Sequence, residues 1–304
     1  MSVAFSLPIP PSGYTRTFTA ETDCLSVNEL LVRGRMQDHR FILEHTWTVR
    51  TPDYEVIAAS AKQIAGEPQS FDPALCERYP SIAGVRVGRG FTKRVSETLG
   101  NSSGLQEHLF LAIEMARVAQ QVYQFPPGFE EQFVAISATP TEQARMAWLK
   151  DRSYMPELAN SCFTYRDEAV EAFAQGEVQC SFGGNLTRPQ PGDKRVFWRD
   201  KRLTIKPLAN GFACDSTMQD RIHDIQIGFE LVDGVIAQAE SRGARLPYHG
   251  ICEGAQLRTP GLSGQHVTAA YLKQFAEQVG GASGCTHLFD LSMDCLRLFK
   301  FTED

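Results

Sequence analysis

The feature that most constrains the fold of this chain is that it contains one pattern twice. Pro80 to Gly104 reads PSIAGVRVGRGFTKRVSETLGNSSG, and Pro260 to Gly284 reads PGLSGQHVTAAYLKQFAEQVGGASG. Eight of the twenty-five positions are identical without a gap, where segments of ordinary composition would share roughly one or two. Several further positions are apolar in both, such as Ile82 and Leu262, Phe91 and Tyr271, and Leu99 and Val279. Upstream, Met36-Gln37-Asp38 answers Met218-Gln219-Asp220, and Glu55-Val56-Ile57-Ala58 answers Gly234-Val235-Ile236-Ala237. A repeat of this length predicts a duplicated domain. The expected boundaries are 15–125 for a first, degenerate copy, 126–196 for a helical connector and linker, and 197–304 for a second copy with the intact motif.

Each copy reads as strands followed by helices. In the second, Arg221 to Leu231 alternates apolar and polar residues, Val232-Asp233-Gly234 has turn chemistry, and Val235 to Glu240 reads as a return strand. A polar loop with His249 and Cys252 follows, then an apolar stripe through Val267, Tyr271, Phe275 and Val279 predicts a helix over Gln265 to Val279, ended by Gly280-Gly281. A last helix is expected near Cys285, burying Leu288, Leu291, Leu296 and Phe299. Between the copies, Thr139-Pro140-Thr141-Glu142 opens one helix, Arg166 to Gln175 reads as another, and Leu186 to Lys194 reads as a linker. The fold class is therefore α+β: two similar halves, each an antiparallel β-hairpin sheet packed by helices.

A net charge of -6 and a pI near 5.7 argue against nucleic acid or a membrane surface as partner, since both select basic patches. The opening MSVAFSLPIPPSGYTR lacks the pattern of a secretory signal, and no apolar run is long enough to span a bilayer. A cytoplasmic location is expected, with the eight cysteines as thiols. On that reading the sites at Asn101 and Asn185 match a glycosylation pattern by chance. No glycine loop follows a strand at the spacing of a nucleotide fingerprint, so no nucleotide cofactor is expected.

The second copy gathers His223, Asp224, His249, Cys252, His266, Cys285 and His287. These fall on loops and element ends, where sites are usually built. Thiolate, imidazole and carboxylate together suit Zn or Fe. The metal candidates are His223, Asp224, Cys252, Cys285 and His287, and the catalytic candidates are Cys285 and His287. A helix N-terminus at Cys285 would lower its pKa. Against these stand plainer readings: Cys214 and Cys295 as core residues, His266 as solvent-facing, and His223 as a hydrogen-bonded strand residue. The first copy offers a partial set, Glu44, His45, Cys76 and His108, with Leu105 after the glycine where the second has Cys285. On this reading Glu44-His45 stands at the place of His223-Asp224.

These residues carry a resemblance. Each copy is similar to the bacterial domain-of-unknown-function family 2889, through Ile222-His223-Asp224-Ile225, Cys252, Leu262-Ser263-Gly264, Gly280-Gly281 and Gly284-Cys285-Thr286-His287-Leu288. The first copy matches most visibly through CERYPSIAGVRVGRGFTKRVSETLG. The chain more faintly resembles NifU-like iron–sulphur scaffolds, whose three cysteine places here hold Ile222-His223-Asp224, Cys252 and Cys285. That likeness implies a hairpin-then-helices fold and a mononuclear metal. The leading expectation is a metal-binding protein, with a hydrolase or lyase acting on a small molecule as its extension if a coordination position stays open. The alternatives are a metal-free enzyme with Cys285 as nucleophile, and a non-catalytic binding or assembly module. Residues two apart on a helix do not face each other, which weighs against Cys285 and His287 as a dyad.

Overall fold

The computed structural model describes residues 4–5, 9–66, 72–122, 139–181, 189–268 and 270–300. The ends of the predicted first copy and of the second, parts of the connector and linker, and Asn185 lie outside them. The chain divides into two compact units. The first comprises Arg16–Pro126 and Arg188–Lys201, and the second Met1–Thr15, Pro127–Thr187 and Arg202–Asp304. These bounds differ from the three-part expectation. Of the predicted connector and linker, 127–187 falls in the second unit and 188–196 in the first.

The chain begins with a short strand β1 (Ala4–Phe5). The first unit is then a four-stranded antiparallel meander, β2 (Tyr14–Ser26), β3 (Glu29–Gln37), β4 (Phe41–Arg50) and β5 (Glu55–Gly66), in that order across the sheet. Successive side chains on a strand point to opposite faces. Leu30, Val32 and Met36 of β3 and Leu43, Trp47 and Val49 of β4 are therefore all buried on one face. Three helices cover that face: α1 (Ala74–Arg78), α2 (Phe91–Leu99) and α3 (Leu105–Gln120), with a 3-10 turn at Tyr79–Ile82. α2 buries Phe91, Val95 and Leu99, a stripe at helical spacing. Where α3 crosses β3 the strand has Gly34, and a Cβ there would stand 2.6 Å from the Met115 side chain.

The middle segment supplies α4 (Pro140–Tyr154), α5 (Ala172–Gln175) and the short strand β6 (Gln179–Cys180). Thr139 caps α4 in a reciprocal capping box with Glu142, as its sequence predicts. The second unit has its own meander, β7 (Phe197–Leu208), β8 (Gly211–Asp220), β9 (Asp224–Val232) and β10 (Val235–Arg245). Residues 197–201 of β7 fall in the first unit and 202–208 in the second. The β9–β10 turn is made by Asp233 and Gly234, both left-handed at φ 51° and 80°, the conformation that matches strand twist in a tight hairpin. Then come β11 (Tyr248–His249), which pairs with β6, and helices α6 (Glu253–Gln256), α7 (Tyr271–Val279) and α8 (Thr286–Leu296). A final strand, β12 (Phe299–Lys300), pairs with β1.

Tyr271, Phe275 and Val279 of α7 and Leu288, Leu291 and Leu296 of α8 pack with Ile225, Ile227 and Phe229 of β9 in one apolar core. α7 is six residues shorter at its start than its stripe predicts. The Gln265 carbonyl accepts from Ile236, and the Val267 amide donates to Gly234. Pairing with the hairpin turn thus takes the backbone groups a helix would have used, and Val267 reaches the core from a loop.

After its meander, each unit continues with a short helix, a 3-10 turn (Tyr79–Ile82 or Thr259–Leu262) and two longer helices. Gly211 begins β8 so close to β9 that a Cβ would lie 1.7 Å from the Leu231 carbonyl oxygen, whereas Gly261 faces open space. Gly211→Ala should cost at least about 2 kcal/mol in urea unfolding, and Gly261→Ala less than about 0.5 kcal/mol.

Candidate functional site

The residues singled out in the second half divide between two places. His223 and Asp224 are neighbours in sequence but face opposite sides. His223 is buried, and its Nδ1 lies 3.0 Å from the Asp220 carboxylate. Asp220 is itself fully buried and accepts from the backbone amides of Ile222 and His223 at 2.8 and 2.7 Å. Arg245 donates to the carbonyls of Asp220 and His223. The His287 ring also lies against His223, tilted by 47° at a centroid separation of 4.1 Å. A carboxylate on Nδ1 selects the tautomer whose Nε2 is the free acceptor. Asp224 instead accepts from Gln219 on an exposed face. The partner of His223 is thus Asp220, three residues back, where sequence adjacency pointed to Asp224.

The thiols form the second place. Cys285 is the N-cap residue of α8 and Cys252 that of α6. Cys285 acts to raise the pKa of Cys252, and Cys162 acts to raise both. Cys162 comes from the segment between α4 and α5, which carried no expected motif. That segment docks on the loop before α8 through the Phe163 amide, which donates to the Gly284 carbonyl at 2.7 Å. The Phe163 ring also fills the space over Gly254, where a Cβ would stand 2.3 Å away. The Thr164 hydroxyl lies 3.0 Å from Cys252 Sγ. Cys252 packs against both apolar cores of the second unit, that of α7 and α8 and that of Trp148, Phe173 and Tyr248. Cys252 therefore sits at a seam between the two cores, with Cys285 packed on the α7–α8 side. Beside that seam, the buried Asp151 accepts from the hydroxyls of Tyr165 and Tyr248, both at 2.6 Å.

A helix start does not activate Cys285. The amides of Leu288 and His287 act to lower its pKa, but burial acts more strongly and pushes the thiol up to about 12. Burial likewise raises Cys252 to about 12, against the Thr164 hydrogen bond. Both residues keep some exposed area while dense protein surrounds their sulfurs, and the surroundings set the charge state. Burial thus disfavours the Cys285 thiolate at neutral pH. His287 lies against the His223 ring, and Cys285 packs against the α7–α8 core. Among the described residues, no three His, Cys, Asp or Glu side chains stand together in ligating geometry.

The remaining candidates fall elsewhere. His249 Nδ1 lies 3.0 Å from Glu253, His266 is exposed, and Cys214 and Cys295 are free core thiols in hydrogen-bonding contact.

In the first unit, two of the partial set meet directly. His45 Nε2 lies 3.0 Å from His108 Nδ1, and His45 Nδ1 lies 2.6 Å from the Tyr79 hydroxyl. The indole of Trp47 can only donate, and it donates to that hydroxyl at 3.2 Å. Tyr79 then donates to His45 Nδ1, and His45 donates from Nε2 to His108, which leaves both imidazoles neutral. Burial reinforces this, holding His45 well below its ordinary value and His108 at about 4. Glu44 faces the other side and pairs with Arg35. The Cys76 thiol accepts from the Gln63 amide. The expected equivalence with His223-Asp224 fails on backbone register. The Asp38 amide donates to the Phe41 carbonyl as that of Asp220 does to His223, so Phe41, not Glu44-His45, stands where His223 does.

Alkylation of folded protein by iodoacetamide at neutral pH should be about a thousandfold slower at Cys252 and Cys285 than at a free peptide thiol, measured by peptide mass spectrometry. Because the folded pKa of His108 is depressed, its contribution to stability is complete above about pH 6.5 and is lost as pH falls toward 4. Between pH 6.5 and 5 unfolding free energy should drop by about 2 kcal/mol through His108, and His108→Gln should flatten that slope.

No curated protein and no solved structure matches the chain. A family model described as a protein of unknown function (DUF2889) matches residues 195–298. That stretch, with its meander, Asp220, His223, Cys252 and the Cys285 helix start, resembles this family.

Proposed function

We propose that the family-like half, together with the segment carrying Cys162, is a binding module for a soft ligand, with Zn or Fe the ion that suits its donors. The observation that carries this reading is that three separate elements bring Cys162, Cys252 and Cys285 near one another: Phe163, next to Cys162, bonds to Gly284, next to Cys285, and Thr164 bonds to Cys252 Sγ. Three thiols with a hydroxyl beside them favour a thiophilic ion over a hard cation. The thiols do not already stand as a ligand shell, so an ion would have to draw them together and displace their protons. Binding would then weaken as pH falls. Asp220 and His223 support the start of β9 through the hydrogen bonds of the Asp220 carboxylate.

The matching order of elements in the two units, with Asp38 and Asp220 bonded alike, supports reading the chain as a duplication. The first copy then keeps the architecture and fills its histidine place with a neutral network. A cytoplasmic setting fits the reduced thiols.

Metal analysis of untagged protein purified without chelators tests the binding reading. Near-stoichiometric Zn or Fe is expected, and a Cys162→Ala/Cys252→Ala/Cys285→Ala variant should lose nearly all of it while keeping its circular dichroism. A folded wild type without metal, which also takes up none on dialysis against Zn or Fe, overturns it and leaves the non-catalytic assembly module with neutral packing thiols.

A further inference from the structure

The first unit has a pocket that none of this uses. It has a volume of about 430 Å³ and is lined by residues of β2, β3 and β4, by Asp200 of β7 and by Arg195 just before that strand. Much of its charge is internally matched. Arg33 donates to Glu21 and Asp23, and Arg35 pairs with Glu44. Two lining groups are not matched in this way, Asp200 and Arg195.

Asp200 is half-buried, its carboxylate makes no hydrogen bond to any described residue, and beyond burial it feels the charge of Arg195. Burial holds its carboxyl above the usual carboxylate range, the mark of an acceptor left without a donor. Arg195 is bound by its backbone: its amide donates to Asp23 at 2.8 Å, and the next amide donates to the Thr22 carbonyl at 2.7 Å. Those bonds hold it at φ 51°, a left-handed conformation that costs a residue with a Cβ free energy and tends to persist at working sites. Its guanidinium lies exposed over the Trp198 ring at 4.9 Å and only loosely near Glu21, at 3.8 Å. An acceptor in want of a donor and an accessible fork of donors thus border one cavity.

We propose that this pocket binds a small zwitterion carrying a primary amine and a carboxylate, the amine at Asp200 and the carboxylate at Arg195. The ammonium gives Asp200 the donors it lacks, and the guanidinium offers paired N–H groups to a carboxylate. Thr19 and Thr46 supply further polar contacts along the floor.

Calorimetric titration of the full chain with γ-aminobutyrate, ethylamine and propionate tests this. γ-Aminobutyrate should bind at least about tenfold more tightly than either single-charge probe, and Asp200→Asn and Arg195→Asn should each weaken it at least about tenfold. Asparagine tolerates the left-handed backbone at 195, and Asp200→Asn removes a charge without a hydrogen bond, so both variants should melt close to wild type. No heat from γ-aminobutyrate, equal binding of ethylamine or propionate, or wild-type affinity in both variants overturns the proposal.

Discussion

The two-residue period of the strands governs which side chains can meet. On β4 it turns His45 inward to α3 and Glu44 outward to Arg35. Just before and at the start of β9 it turns His223 inward and Asp224 outward. A one-residue shift of either strand would exchange the two faces. The neutral histidine network and the Asp220 turn both rest on that alternation.

Burial is the second governing term, because it decides charge states. The His108 imidazole is held at about 4 and the Cys252 and Cys285 thiols at about 12, each mainly by the loss of water. A helix start beside Cys285 acts the other way and is outweighed. Position in a secondary structure therefore does not by itself set reactivity. The density of protein around the sulfur does. Where burial comes with a fixed partner, as at Asp220, the hydrogen bonds also assign the histidine tautomer.

Much of the fold was legible because its signals are local. Alternation marked β9 and β10, Asp233-Gly234 marked their turn, Thr139 with Glu142 marked the start of α4, and Gly280 marked the end of α7. The site was less legible. Cys162 stands ninety residues before Cys252 in a stretch without periodicity or motif, so its place beside Cys252 and Cys285 has no local signal. Asp220 offered a faint one, since Met36-Gln37-Asp38 answers Met218-Gln219-Asp220. That match would have aligned Phe41 with His223 and pointed to the shared turn.

The sequence by itself determined the α+β class, the repeated strand-then-helix order, and the core stripes of β9, α7 and α8, because side-chain period and turn chemistry act between neighbours. Only the tertiary structure decided that the segment after α4 belongs with the second unit, that His223 pairs with Asp220 while Cys252 lies beside Thr164, and that burial raises the pKa of the thiols. These are outcomes of long-range packing and of the water it excludes, and no short stretch of the chain encodes either.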